Sequence, residues 1–203
     1  AFSLAFVIGP VLGTIIGVSG IFSFSAILAV LAMIVLYFVV PDPQHSSFHS
    51  DTEVSLSMLG SVIKNHNLLK LDIGIFMLHS VLMSNFIIVP LALQDSAGLT
   101  SSHHWQVYLP VLIVSVILIM PAIIFGERSK KSGLIFKGAV LILVFSQIGF
   151  YFWHDSIMAL AVMLLVFFTG FNYLEASLPS LISKLATNNT KGTALGVYAS
   201  SQF

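Results

Sequence analysis

Long apolar blocks separated by short polar breaks run the length of the chain. Seven segments stand out: Ala1–Val18, Ile21–Val40, Leu71–Leu93, Trp105–Phe125, Leu134–Trp153, Ser156–Ser183 and a final start at Gly192–Phe203. Most approach the roughly 20 residues that a membrane-spanning helix needs. No alternation of period two appears in them. Backbone polar groups cannot go unpaired in lipid, so the pattern predicts helices and not a β-barrel. The expected fold class is all-α, a polytopic membrane helix bundle. Pro110 suits a helix's first turn better than its interior, which shifts the expected start of the fourth helix toward it.

Composition strengthens this reading. Of 203 residues, 57% are hydrophobic and only 8% charged, against roughly 25% charged in soluble domains. Mean hydropathy is +1.01. These values exclude an ordinary soluble enzyme domain and a disordered chain. Net charge is zero, so no nucleic acid or other polyanion is expected as a partner. There are no cysteines, which removes thiolate metal sites, disulfides and cysteine nucleophiles.

Charge placement tests the segment order. Alternate connections fall on opposite sides of a membrane. One set (Ser19-Gly20, Gln94–His104, His154-Asp155) carries no Lys or Arg, and the other carries all eight: Lys64, Lys70, Arg128, Lys130, Lys131, Lys137, Lys184 and Lys191. By the positive-inside bias, loops 41–70, 126–137 and 184–191 are expected to be cytoplasmic, in a multi-pass inner-membrane protein. Within the long loop, Ser50-Asp51-Thr52-Glu53 fits a capping box. Leu56, Met58, Leu59, Val62 and Ile63 follow it at mostly helical spacing, as in a short amphipathic interfacial helix. The chain opens at Ala1 without Met and closes at Phe203 inside an apolar stretch, so a piece of a longer protein is expected.

Gly9, Gly13 and Gly17 recur every fourth residue in the first segment, with Pro10 between them. Small residues at that spacing permit close helix approach, and Pro10 should bend the helix. Gly9-Pro10-Val11-Leu12-Gly13 resembles the antiporter motif in the fifth helix of major facilitator superfamily drug/proton antiporters. Ala5 and Thr14 stand where the fuller pattern has Gly. The Gly126-Glu127-Arg128-Ser129-Lys130-Lys131 loop is similar to a degraded second-half copy of that family's basic loop. Arg128, Lys130 and Lys131 are kept, but the Asp-Arg core is not. Leu68-Leu69-Lys70-Leu71, Leu78-His79, Leu82-Met83-Ser84 and His104–Leu109 resemble the seventh and eighth helices of the YajR-like branch. Leu178–Lys184 and Lys191–Tyr198 resemble its tenth and eleventh.

The resemblance implies a partial major facilitator fold, helices five to eleven, with five full spans and one truncated at each end. Residues 1–40 would then close the N-terminal six-helix half. Residues 41–70 would link the halves, and 71–203 would begin the C-terminal half. It also implies secondary active transport: proton-coupled efflux of small amphipathic molecules by alternating access, with substrate, protons and lipid as partners and a monomer favoured. No cofactor and no metal are expected. A seven-helix receptor without transport activity is the alternative by segment count.

Ionisable groups inside lipid are costly and mark cavities or pairs. Glu175 and Asn172 lie three apart on one helix face, with Glu175 toward the inner end of its segment. Held away from water, a carboxylate is costly to ionise and can carry a proton. A structural lock with a neighbouring basic loop is the other reading. His79 is either a second proton-coupling group or a helix–helix hydrogen-bonding group. Asn85, Asn172, Tyr173 and Phe171 are candidates to line a substrate cavity, and Asn85 is equally a packing contact. Asp72 beside Lys70 reads as an interfacial charge. Ser19 in Gly17-Val18-Ser19-Gly20 falls in an expected external turn, and His103-His104 has no carboxylate at ligand spacing. Neither supports an enzyme or a metal centre.

Overall fold

The computed structural model describes residues 2–41, 56–129 and 131–202. Lys130 and the expected capping box at Ser50-Asp51-Thr52-Glu53 lie outside the described residues. The chain divides into two compact units, Ala1–Phe48 and His49–Phe203. Every regular element among the described residues is helical. Five stretches are long and apolar enough to cross a membrane: Leu12–Phe38, His66–Ser96, Ser101–Gly126, Ser132–Phe152 and Ile157–Leu185.

The first unit is α1, Phe2–Phe38, broken at Gly17 where φ is 68° and ψ 175°. That backbone region is open essentially to glycine alone. A Cβ built on Gly13 would lie 3.5 Å from Ile21 Cδ1, and one on Gly20 would lie 2.7 Å from Ile16 Cβ. Residues eight apart in an unbroken helix are separated by about 12 Å, so the two arms fold back on each other at the break. The turn thus falls two residues before the expected Ser19-Gly20. Gly17 is the turn itself and not a third member of a helical stripe with Gly9 and Gly13. Residues 18–38 make a helix about 31 Å long, which matches the hydrocarbon core of a bilayer. It is apolar on all sides and exposed in this unit.

The second unit contains α2 (Leu56–Lys64), α3 (His66–Leu91), α4 (Trp105–Arg128), α5 (Ser132–Phe152), α6 (Ile157–Leu185) and α7 (Lys191–Gln202). α3 begins five residues before the expected segment because Asn65 caps it. The Asn65 side-chain oxygen accepts from the backbone N–H groups of Asn67 and Leu68 at 3.0 and 3.4 Å. A cap of this kind satisfies helix donors that otherwise go unpaired. α3 ends in a π turn at Ala92–Ser96, and the chain reverses at Gly98 with φ 72°. α4 runs from Trp105 straight through Pro110 and Pro121, so Pro110 does not mark its start. Pro110 lies in the second turn, past the unpaired first-turn N–H groups, so the helix forgoes the bond to the Gln106 carbonyl there.

α6 is the hub, packing against α3, α4, α5 and α7. Its buried face includes Leu164, Phe167, Phe171, Leu174, Leu178 and Ile182. Phe167 and Phe171 stack at 5.8 Å between ring centroids, with Phe168 set edge-on to both. The approach of α5 is set by small residues. A Cβ on Gly170 would lie 3.0 Å from the Ala139 carbonyl oxygen and 3.0 Å from Ile142 Cγ1, and one on Gly149 would run into the Met163 side chain. α2 packs against α3 and α7 and buries Val62.

Two outcomes follow for the full-length protein in detergent, read as thermal unfolding midpoints. Gly17→Ala should destabilise by about 1–3 kcal/mol, because alanine is strained at that backbone conformation; an unchanged midpoint would rule out the turn. Gly170→Ala should destabilise, since a backbone carbonyl cannot step aside. Gly138→Ala on the same helix pair meets nothing within 4 Å and should stabilise by a few tenths to about 1 kcal/mol. Equal effects at the two glycines would contradict the packing.

Candidate proton-binding cluster

The buried face of α3 repeats at helical spacing through Leu68, Asp72, Ile75, His79, Leu82 and Val89. Asp72 and His79 lie two turns apart on it, and they are 4% and 5% exposed. α6 brings Glu175 to His79: His79 Nε2 lies 3.7 Å from Glu175 Oε2. α7 contributes Gln202, whose amide nitrogen is 3.0 Å from His79 Nε2 and 3.1 Å from Glu175 Oε1. Three helices meet at these three side chains.

The bonding pattern limits which ring nitrogen of His79 carries a hydrogen. His79 Nδ1 lies 3.3 Å from the Ile75 carbonyl oxygen, and only an N–H can make that bond. The Nε2 lone pair is then free to accept. The Gln202 amide has two hydrogens; one goes to His79 and the other to the Glu175 carboxylate. Oε1 of Glu175 accepts from the amide whether or not its carboxyl group carries a proton on Oε2. The Phe171 ring sits edge-on to His79 at 5.6 Å between centroids, which closes the apolar side of the imidazole.

The two proton-coupling candidates from the sequence, Glu175 and His79, are thus adjacent in space. The other site residues separate. Asn172 turns to α4, where its amide donates to Ser115 Oγ at 3.1 Å, and Ser115 donates in turn to the Leu112 carbonyl oxygen at 2.8 Å. Asn172 and Glu175 therefore serve different neighbours despite their spacing. Tyr173 donates through its hydroxyl to the Ser132 carbonyl oxygen at 3.3 Å, tying α6 to the start of α5. It also borders a cleft of about 350 Å³ with Ser132, Lys137, Ser177 and Lys184. Asn85 is buried with no partner for its amide nitrogen. Phe171 is buried in the core of the bundle. Arg128 ends α4 and Lys131 precedes α5. Between them the Gly126 carbonyl oxygen accepts from Lys131 N–H at 3.1 Å and from Ser132 Oγ at 3.0 Å, which makes the tight turn.

Three buried or part-buried polar side chains in this part of the bundle were not among the sequence candidates: Gln202, Tyr198 and Asp72. The seven-residue interval between Asp72 and His79 places them on one face and was the available signal. Tyr198 and Gln202 are likewise four apart on α7.

The whole chain, residues 1–203, matches the family model of the Major Facilitator Superfamily. It is 35% identical over its full length to the inner membrane transport protein YajR of Escherichia coli, covering 44% of that protein. It is 30% identical to an uncharacterised transporter of Buchnera aphidicola from Acyrthosiphon pisum, of which it covers 52%. A second Buchnera transporter, from Baizongia pistaciae, is 26% identical over the same share. The chain spans about half the length of these curated relatives. The matches lend no support to the receptor alternative, and they agree with a multi-pass helical membrane protein. The chain belongs to the Major Facilitator Superfamily.

Proposed function

We propose that the chain serves proton-coupled efflux of small amphipathic molecules by alternating access, with Glu175 and His79 as the proton-binding pair. The observation that carries this reading is the His79–Gln202–Glu175 cluster, an ionisable pair joined by one amide across α3, α6 and α7. Ionisable side chains inside a helix bundle are retained where ions or protons move. A proton arriving at His79 Nε2 removes the lone pair that accepts from Gln202. A proton arriving at Glu175 replaces a charge-assisted bond by a weaker neutral one. Either event loosens α7 from its neighbours, which links proton occupancy to helix position.

In this reading residues 1–40 close the first six-helix half, 41–70 form the cytoplasmic linker, and 71–203 supply helices seven to the start of eleven. The eight-to-zero distribution of Lys and Arg supports cytoplasmic loops at 41–70, 126–137 and 184–191 in the inner membrane. Gly9, Pro10 and Gly13 would form the close-packed part of the antiporter motif. The protein would work as a monomer without cofactor.

The deciding experiment uses the full-length protein in liposomes, with ethidium as the transported cation and an imposed pH gradient. Glu175→Gln should lower gradient-driven accumulation at least about tenfold while downhill exchange of ethidium persists. Gln202→Leu should lower it less. Gradient-driven accumulation at the wild-type level in Glu175→Gln would remove Glu175 from proton coupling.

A further inference from the structure

Asp72 has no structural justification as a charge. It is 4% exposed, and its Oδ1 has no hydrogen-bond partner. Among the described residues it joins no ion pair. The basic groups of the elements around it all point to the outside: Lys64 on α2, His66 and Lys70 on α3, Lys184 on α6 and Lys191 on α7 are exposed. A buried carboxylate with neither cation nor full hydrogen bonding is costly, so a purely structural role would favour its loss.

Its surroundings extend the cluster above. Asp72 lies two turns below His79 on the same face of α3, about 10 Å along the helix. Tyr198 of α7 is 5% exposed and lies one turn before Gln202, which meets His79. α7, which carries Tyr198, packs against both α3 with Asp72 and α6 with Glu175. Four buried oxygens here have no hydrogen-bond partner: Asp72 Oδ1, Tyr198 Oη, Glu175 Oε2 and Thr193 Oγ1. They run from the start of α7 up to the His79–Glu175 pair. A polar strip with several groups unpaired is where bound water bridges side chains.

We propose that Asp72 is a second proton station, joined to Glu175 through Tyr198 and bound water, and that it connects the cluster to the side of the membrane where α3 and α7 begin. The step is a proton transfer only. Glu175 gives up the proton on Oε2, the Tyr198 oxygen accepts it through water as its own hydrogen passes on, and Asp72 Oδ1 receives that hydrogen. Glu175 ends charged and Asp72 neutral, with no other bond changed. Rotation of the Tyr198 hydroxyl resets the path. The inference rests on Glu175 and His79 as the proton-binding pair.

The test is infrared difference spectroscopy of the full-length protein in lipid, acid minus alkaline, alongside proton flux into ethidium-loaded liposomes. Among the bands of protonated carboxylic acid, one is expected to be lost in Asp72→Asn and another in Glu175→Gln. Tyr198→Phe should keep both bands and slow gradient-driven proton flux about tenfold. An infrared spectrum unchanged by Asp72→Asn would mean that Asp72 never takes a proton, and would overturn the inference. If Asp72→Asn misfolds, wild-type flux in Tyr198→Phe overturns it equally. Either result together with a defective Glu175→Gln leaves the proton-binding pair standing. A Glu175→Gln variant with wild-type coupling removes both.

Discussion

In hydrocarbon a polar group finds its partner inside the protein or goes without, and every level of this structure reflects that constraint. It makes the backbone helical, because only a helix satisfies its own N–H and C=O groups without water. It then sorts the side chains. Ser80, Ser84 and Thr169 return their hydroxyls to carbonyls four residues back on their own helices, which uses up their hydrogen-bonding capacity locally. Asn172, Tyr173, His79, Glu175 and Gln202 reach across to other helices. The interhelical polar contacts are few, and they fix which helices adjoin in an otherwise apolar bundle.

Small residues set the distances at which those contacts can form. α6 carries bulky aromatics toward α3 but glycine toward α5, so it sits close to one neighbour and is held off by rings from another. Gly170 faces the Ala139 carbonyl oxygen, and a larger residue would push α5 and α6 apart. The Tyr173 hydroxyl would then lose the Ser132 carbonyl oxygen 3.3 Å away. Packing and polar contacts on α6 are therefore set together, three residues apart.

Segment-level structure was plain in the sequence because it depends on local composition. The predicted Leu134–Trp153 and Ser156–Ser183 differ from α5 and α6 by two residues at most. Boundaries governed by one side chain were harder to read. His66, Asn67 and Lys70 make the stretch look like linker, yet Asn65 caps it into α3. A single positive-φ glycine moved the first turn to Gly17. Burial was least legible, since it depends on contacts distant in sequence. Gln202 meets Glu175 across 27 residues and His79 across 123. Asp72 looks interfacial beside Lys70 until α7 is laid against α3. Glu175 and His79 could be picked out singly as rare ionisable groups in apolar segments, but their adjacency could not.

Gln202 gives the cluster an order that neither titrating residue has alone. Its nitrogen carries two hydrogens and no lone pair to offer, so both of its contacts must be acceptors. The Nε2 of a His79 that carries its hydrogen on Nδ1 and the Oε1 of Glu175 supply the two. In the proposed coupling, a proton on His79 turns an acceptor into a donor facing a donor, and the imidazole then has Glu175 Oε2, already 3.7 Å away, as its natural partner. The amide is released and α7 loses one tie. A bond of this kind is worth about 0.5–1.5 kcal/mol, or up to about 3 kcal/mol to a charged group. Coupling energies between sites in allosteric proteins are typically of the same size, about 1–3 kcal/mol. On the proposed function, one amide is then enough to bias two positions of a helix without locking either, as a carrier that passes through both would require.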